Sequence, residues 1–489
     1  MATSAAASAT VAPSRYARGG HCNHHLAAAL RVDAFPALTV MRASTNLDIF
    51  KTYDIRGIYP DDLDEPTALR IGRAFVEFLG VKSVAVGRDM RVSSQPLFEA
   101  FGHGVTLQGA DLIDLGLTST DELYFAVGKF GYPAGAMITA SHNPKEYNGF
   151  KLCREQAIAL SADTGVFAIR DLVARGIFSP VQTPGHVTQR DVLPNFADHC
   201  LSFIEVRNIK PLRIVVDTGN GMGGLIVPAV FKRLPLEVIP LYFELDGTFP
   251  NHPASPIEPE NMADLQSAVR KHKADLGAAF DGDADRVFIT DERGELVGGD
   301  MVTALVAKML LRKHPGSTIL YNLICSRGVP ELIASSGGNG VRTRVGHSII
   351  KKVMRERNAI FGGEHSGHFY FRDHYYADSG LIALLVVLEL ISQEGKRVSE
   401  LLRPLDRRFR SGEINSRVAD ATAKLKELAQ RYADAREIDY LDGITIQYDD
   451  WWCNIRPSNT EPLLRLNVEA DDATLLEKQR DELLALIRS

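Results

Sequence analysis

The sequence predicts an α/β protein in which three similar units precede a smaller α+β unit, and three observations carry that prediction. Short apolar runs of strand length alternate with stretches of helical periodicity. The alternation restarts after a polar link at residues 183–190 and again near Asp300. From Arg410 onward the character changes to one charged helix among short strands. Alternation of this kind builds a mostly parallel sheet with helices packed on it. With 489 residues the chain has room for roughly three or four domains of ordinary size. The units are expected at residues 47–190, 191–299, 300–408 and 409–489, after an extension of residues 1–46.

Folded sequence begins near Leu47. Leu69, Ile71, Phe75 and Phe78 recur at near-helical spacing between Pro66 and Leu79, and Val84–Gly87 reads as a buried strand. A helix over Gln95–Gln108 and strands over Leu112–Leu117 and Ala134–Ile138 complete the first round. The second has strands at Leu212–Val216, Leu236–Leu241 and Asp275–Phe280, with a Pro-rich loop at Phe249–Pro253. The third runs from a helix over Asp300–Leu311 through strands at Ser317–Leu323, Val341–Val345 and Ala359–Gly362 to a strongly apolar helix over Ser379–Ile391. The last unit has a charged helix over Ala419–Ala433 and strands at Gly443–Tyr448 and Leu464–Glu469.

A formal net charge of -6 gives no reason to expect nucleic acid as a partner. The longest purely apolar run, Leu381–Leu388, is too short to span a bilayer, so no membrane partner is expected. Cys22, Cys153, Cys200, Cys325 and Cys453 lack CxxC spacing, which suits free thiols in a reducing compartment. Residues 1–46 hold Arg15, Arg18, Arg31 and Arg42, a single acid, Asp33, and no lysine, in an Ala/Ser-rich background. That composition resembles an organelle transit peptide, and a chloroplast or other plastid location is expected. A functionless extension on a cytoplasmic protein is the alternative.

Four stretches carry chemistry. Met137–Pro144, closing with Tyr147–Lys151, sets Ser141 on a loop after a strand, beside His142 and an Asn-Pro turn signal, where a nucleophile can be reached. Asp281-Gly282-Asp283-Ala284-Asp285-Arg286 places three carboxylates at alternate positions of a tight loop, able to converge on one hard cation, best Mg²⁺. The glycine stands second rather than sixth in the loop, and the preceding run reads as a buried strand rather than a helix, which excludes an EF-hand; an acidic surface turn is the competing reading. Gly362–His368 puts Glu364, Ser366 and His368 on one side if the segment is extended, a set that can read sugar hydroxyls. Arg456–Pro462 offers a guanidinium fork, hydroxyls and loop N–H groups suited to a phosphate dianion. Arg56, Arg88 and Arg91 add positive charge where a phosphoryl group needs neutralising.

In this order and spacing the four stretches resemble those of the α-D-phosphohexomutase superfamily, in particular its bacterial-type phosphomannomutase/phosphoglucomutase branch, from Phe50 to Val468. The resemblance implies three similar mixed-sheet α/β domains plus a smaller C-terminal α+β domain around a central active-site cleft. It implies reversible interconversion of hexose 1-phosphate and hexose 6-phosphate, of mannose, glucose or both, through a phosphoserine and a 1,6-bisphosphate. By the same resemblance, Ser141 is the phosphoserine and binds Mg²⁺ with Asp281, Asp283 and Asp285. Arg56, Lys151 and His368 act at the reaction centre. Arg286, His347, Glu364 and Ser366 contact substrate, and Arg456, Ser458, Asn459 and Thr460 grip the phosphate that is not transferred. Hexose phosphates are the partners, hexose 1,6-bisphosphate the activator, and the protein a monomer or small homo-oligomer. One departure is Ile324, where bacterial relatives commonly carry a lysine three residues before the arginine, here Arg327; a lost cation there bears on substrate affinity. Phosphoglucosamine mutase, a non-catalytic sugar-phosphate binder, and a phosphatase using an aspartate of the acidic loop are the competing readings.

Overall fold

In the computed structural model of the chain, residues 45–458 and 463–489 are described, with His347 and Ser348 described by their backbone alone. The predicted helices fall close to their expected places, as Glu65–Leu79, Ser94–Leu107, Gly299–Lys313, Gly380–Glu394 and Ala421–Arg431. The first shows why: Asp64 accepts a hydrogen bond from the Thr67 N–H, a proline occupies the opening turn, and Gly80 ends it at φ 63°.

One strand order recurs three times. In the first unit Ser83–Arg88, Asp111–Leu117, Ala134–Ile138, Tyr147–Arg154 and Ile158–Ala159 lie in the order second, first, third, fourth, fifth. The first three are parallel, and the last two join antiparallel. Leu212–Asp217, Leu236–Leu241, Leu276–Phe280, Val287–Thr290 and Leu296–Val297 repeat this order and sense in the second unit. Thr318–Asn322, Asn339–Thr343, Phe361–Gly363, Phe369–Phe371 and Ala377–Asp378 repeat it in the third. The first sheet gains Ile55–Ile58 and Val187–Gln189 at its edges. The sheets are therefore mixed, as the resemblance implies, rather than mostly parallel, as the alternation alone suggests. Their antiparallel strands include segments as short as Phe369–Phe371, buried at every position, which show no period of two. The fourth unit is an antiparallel sheet built on Trp451–Pro457 and Leu463–Ala470, with the helices Ala421–Arg431 and Ala473–Arg488.

This topology positions the motifs. In each of the three units the connection from third to fourth strand is a short loop at the carboxyl end of a parallel strand, the usual ligand-facing edge of such sheets. Residues 139–146, 281–286 and 364–368 are those three loops.

The helix Gly380–Glu394 is apolar all round and therefore buried all round. It lies in one core with Ile214, Phe280 and Ile289 of the second unit and Phe361 and Phe371 of the third. Its only fully buried acid, Glu389, accepts from Lys313 Nζ at 2.6 Å and the Glu205 N–H at 3.1 Å. Separate cores fill the first unit around Phe75, Phe101 and Phe150 and the last around Ile455 and Leu466. Among the described residues no helix is long and apolar enough to cross a membrane. Leu384→Ala is expected to lower stability by about 2–5 kcal/mol and to move the melting of the second and third units together. Calorimetry resolving two transitions, only one of them displaced, would contradict the shared core.

Candidate active site

The loops of the first and second units meet. Ser141 has φ 52°, a left-handed conformation that side chains avoid, and its Oγ donates to Asp281 Oδ2 at 2.8 Å. Arg286 approaches the same Oγ at 3.5 Å and pairs with Asp281 at 2.8 Å. The contact is so close that a Cβ on Gly282 would stand 2.4 Å from the Ser141 carbonyl oxygen, so only glycine fits there. His142 Nδ1 is 3.2 Å from Ser141 Oγ. Burial, with Arg286 and Arg56 nearby, pushes the His142 imidazole down to about 2, so the ring is neutral.

Asp281, Asp283 and Asp285 are buried and offer ligand oxygens within 4.8 Å of one another. Burial and the neighbouring Asp285 and Asp283 carry the Asp281 carboxyl up to about 7, against the pull of Arg286. Burial also works against the charge on Asp283, but Lys151 and Thr120 outweigh it and hold that carboxyl below its usual range. Lys151 Nζ lies 2.6 Å from both Asp283 Oδ2 and Asp285 Oδ2, and Thr120 Oγ1 donates to Asp283 Oδ2 at 2.5 Å. Burial alone would favour a neutral Lys151, yet these two carboxylates hold it an ammonium, well above its ordinary value. Asp283 Oδ1 and Asp285 Oδ1 remain buried without a hydrogen-bond partner. An all-oxygen donor set with orphaned carboxylate oxygens fits a hard divalent cation.

A cavity of about 590 Å³ opens beside Ser141, lined by Arg56, His142, Lys151, Asp285, Arg286 and His368. Arg56 reaches it from the edge strand, bonding Asn143 Oδ1 at 2.5 Å and pairing with Asp54. Burial keeps the His368 imidazole below its ordinary value, and its Nδ1 lies 3.0 Å from Ser366 Oγ. Residues 364–368 form a turn rather than an extended face, closed by Glu364 N–H to His368 O. Glu364 is buried, its two oxygens accepting from the Gly346 N–H and Tyr370 OH at 3.2 and 2.6 Å. Tyr53, in the cavity wall, has its phenol raised mainly by burial; a Cβ on Gly346 of the third unit would stand 3.1 Å from its hydroxyl, and nearby Arg344 pairs with Asp442 of the fourth unit at 3.8 Å. Arg456 pairs with Glu413 at 2.6 Å, and Arg465 bonds both Glu413 and Ser458. Asn459 and Thr460, and the side chain of His347, lie outside the described residues.

Of the three first-unit arginines, only Arg56 faces the cavity. Arg88 pairs with Asp114 and stacks on Phe98, and Arg91 turns into the serine loop. Arg327, near Ile324, ties the third unit to the fourth by donating to the Tyr448 and Asp449 carbonyls. Sequence reasoning missed Thr120, Lys351 and Asp378. Lys351, buried between the Tyr124 and Tyr370 rings, pairs with Asp378 at 2.6 Å in the cavity wall. Thr120 sits in an ordinary helix-start run, residues 118–122, and Lys351 beside Lys352, so neither residue type stands out locally, and only tertiary packing brings them to the site.

Family models for phosphoglucomutase/phosphomannomutase match the whole array: α/β/α domain I over residues 47–179, domain II over 194–294, domain III over 298–408 and the C-terminal domain over 413–486. The chain belongs to this family. It is 41% identical over 454 residues to a phosphomannomutase of Salmonella montevideo, a match covering 91% of this chain and 100% of that one. It is 42% identical over 445 residues to a protein named phosphohexose mutases from Xanthomonas campestris, covering 90% and 99%. Among solved structures, a phosphoglucomutase/phosphomannomutase family protein of Burkholderia thailandensis superposes with a TM-score of 0.82 at 32% identity, over 90% of this chain and 97% of that one. The protein is thus a phosphohexomutase, an enzyme acting on hexose phosphates. The comparisons also correct the plastid expectation for residues 1–46: the matched relatives are bacterial phosphohexomutases, covered over 99–100% of their own length, and nothing in these matches supports a plastid transit peptide. An Arg-, Ala- and Ser-rich composition is shared by addressed and unaddressed extensions alike, so it cannot carry an address alone.

Gly282→Ala in this phosphohexomutase is expected to leave the fold intact while lowering turnover roughly 100-fold, as displacement of reacting groups by about 1 Å does. Near-normal turnover would show that the Ser141 and Asp281 loops need not touch.

Proposed function

We propose that the enzyme interconverts hexose 1-phosphates and hexose 6-phosphates, with mannose and glucose as its sugars, by way of a phosphorylated Ser141 and a hexose 1,6-bisphosphate. The observation that carries this reading is Ser141 Oγ, 2.8 Å from Asp281 in a cavity lined by Arg56, Lys151 and Arg286. In this assignment residues 47–190 carry the phosphoserine, 191–299 the metal ligands, 300–408 the sugar loop and 409–489 the phosphate grip.

Phosphoryl transfer is catalysed mainly by positioning and charge neutralisation. Ser141, Asp281, Asp283 and Asp285 would hold Mg²⁺, which supplies neutralising charge at the phosphoryl oxygens. Arg56, Lys151 and Arg286 add three fixed cations around the same serine. A sugar hydroxyl oxygen attacks phosphorus; the bond from phosphorus to Ser141 Oγ breaks, and the bisphosphate forms. The neutral His368 ring can take the proton that the hydroxyl loses, and the Lys151 ammonium can supply one to the departing serine oxygen. After the bisphosphate turns over, its other phosphoryl returns to Ser141, which is why added hexose 1,6-bisphosphate would prime the enzyme. Arg456 and Ser458, with Asn459 and Thr460, would hold the phosphate at rest in either orientation.

Glu364 is held by Gly346 and Tyr370 but keeps lone pairs for sugar hydroxyls. Reading O3 and O4, which mannose and glucose share, is compatible with both sugars. Glucosamine places an ammonium at C2, where an unpaired polar group costs about 1–3 kcal/mol, and it should be the poorest of the three.

Intact mass after treatment with hexose 1,6-bisphosphate should show one phosphate on the wild type and none on Ser141→Ala, with activity abolished in the variant. Asp283→Asn should cost turnover far more than stability. In coupled assays mannose and glucose 1-phosphates should both react, and glucosamine 1-phosphate poorly. An active Ser141→Ala protein would overturn the mechanism; glucosamine phosphate as best substrate would overturn the sugar assignment.

A further inference from the structure

The Ser141 loop is shaped around a group that never reaches the cavity. Arg91 lies in the turn after the strand Ser83–Arg88, with 2% of its surface exposed. Its Nη2 donates to the carbonyls of Ser141 and Asn143 at 2.8 and 2.7 Å. Its Nη1 donates to those of Pro144 and Tyr147 at 2.7 and 3.1 Å. Both terminal nitrogens are thus spent on one stretch of backbone. Asp89 stands 3.3 Å from Nε as counter-charge and is itself held by Ser94 Oγ at 2.5 Å. On the far side the Phe249 ring of the second unit covers the guanidinium at 5.0 Å, and a Cβ on neighbouring Gly247 would stand 2.5 Å from Arg91 Cα. The same guanidinium therefore touches the loop that carries Ser141 and the unit that carries Asp281.

We propose that Arg91 is a positioning residue for phosphoryl transfer: it gathers four loop carbonyls on one side and holds Ser141 in the left-handed conformation that presents Oγ to Asp281. The proposal rests on Ser141 being the phosphoryl carrier. Four carbonyls from residues 141, 143, 144 and 147 can converge on a planar fork of terminal N–H groups. They cannot all converge on an ammonium, which has three donors and no fixed plane. The Ser141 backbone conformation is one that a released loop would leave, because it is disfavoured for any residue with a Cβ. Arg91 does this from a buried place outside the residues that line the cavity.

The test uses the full chain with Arg91→Lys and Arg91→Ala. Arg91→Lys should lower kcat roughly 100-fold with KM for hexose 1-phosphate changed by less than about 3-fold. Rapid-quench intact mass should show phosphoryl uptake on Ser141 from hexose 1,6-bisphosphate slowed by a similar factor. Guanidinium ion, added well below denaturing concentration, should recover part of the Arg91→Ala rate and none of the wild-type rate. Unchanged kcat in Arg91→Lys, a rise in KM alone, or a loss that vanishes when rates are normalised to the folded fraction would overturn the proposal. Failure of both variants to fold would overturn it too, making Arg91 a folding residue. A wild-type protein that takes no phosphate on Ser141 would instead overturn the phosphoserine reading, so the two failures are distinguishable.

Discussion

Three carboxylates buried within 4.8 Å of one another repel, and much of the structure is an answer to that repulsion. Arg286 answers Asp281 from within the loop, Lys151 crosses from the first unit to Asp283 and Asp285, and Thr120 adds a hydroxyl. Lys151 and Thr120 can serve only if the first and second units are held in register. Two carboxylate oxygens are still left without a partner, and the loop that supplies Ser141 is pressed against the same spot. The charge that holds the units together is thus the charge that a phosphoryl group and its cation would use.

The repeated strand order explains how one chain assembles such a site. In each of three units the loop between a parallel third strand and an antiparallel fourth strand emerges at the same sheet edge. One copy carries a hydroxyl, the next carboxylates, the third a glutamate, a serine and a histidine. The buried helix Gly380–Glu394 locks the second and third units in one core, and Ser379 at its start donates to Asp121 of the first unit at 2.6 Å. The fourth unit is docked through Arg327, and through Arg410 on Asp300 at 2.8 Å. Three copies of a loop can therefore converge because packing elsewhere fixes their relative placement.

Much of this was legible before any coordinates. Ser141, the aspartates and Arg456 stand in compact polar runs that interrupt apolar strands, a local signal that needs no partner to be read. Sheet sense was harder: Val287–Thr290 and Phe369–Phe371 are too short and too buried to show alternation. The alternation of Glu364, Ser366 and His368 puts them on one side only if the segment is extended, and here the segment closes a turn instead. Arg91 looked like one more free cation, and nothing within ten residues of it reveals the four carbonyls it binds. Thr120, Lys351 and Asp378 are hidden for a related reason: their partners are remote in sequence, Thr120 meeting Asp283 of another unit and Lys351 meeting Asp378 across the third. The N-terminal extension failed differently, because composition was asked to specify a destination.

In the mechanism proposed above, one phosphoryl group passes from Ser141 to a sugar and is replaced from that sugar's other end. The direct measurement starts from enzyme carrying a ³²P-labelled phosphoryl on Ser141, mixed with unlabelled mannose 1-phosphate and quenched within a few turnovers. Label should leave the protein and appear in mannose 1,6-bisphosphate and then at position 6 of mannose 6-phosphate, while the protein remains phosphorylated by unlabelled phosphoryl. Label that stayed on Ser141 through turnover, or left it only as inorganic phosphate, would contradict the account.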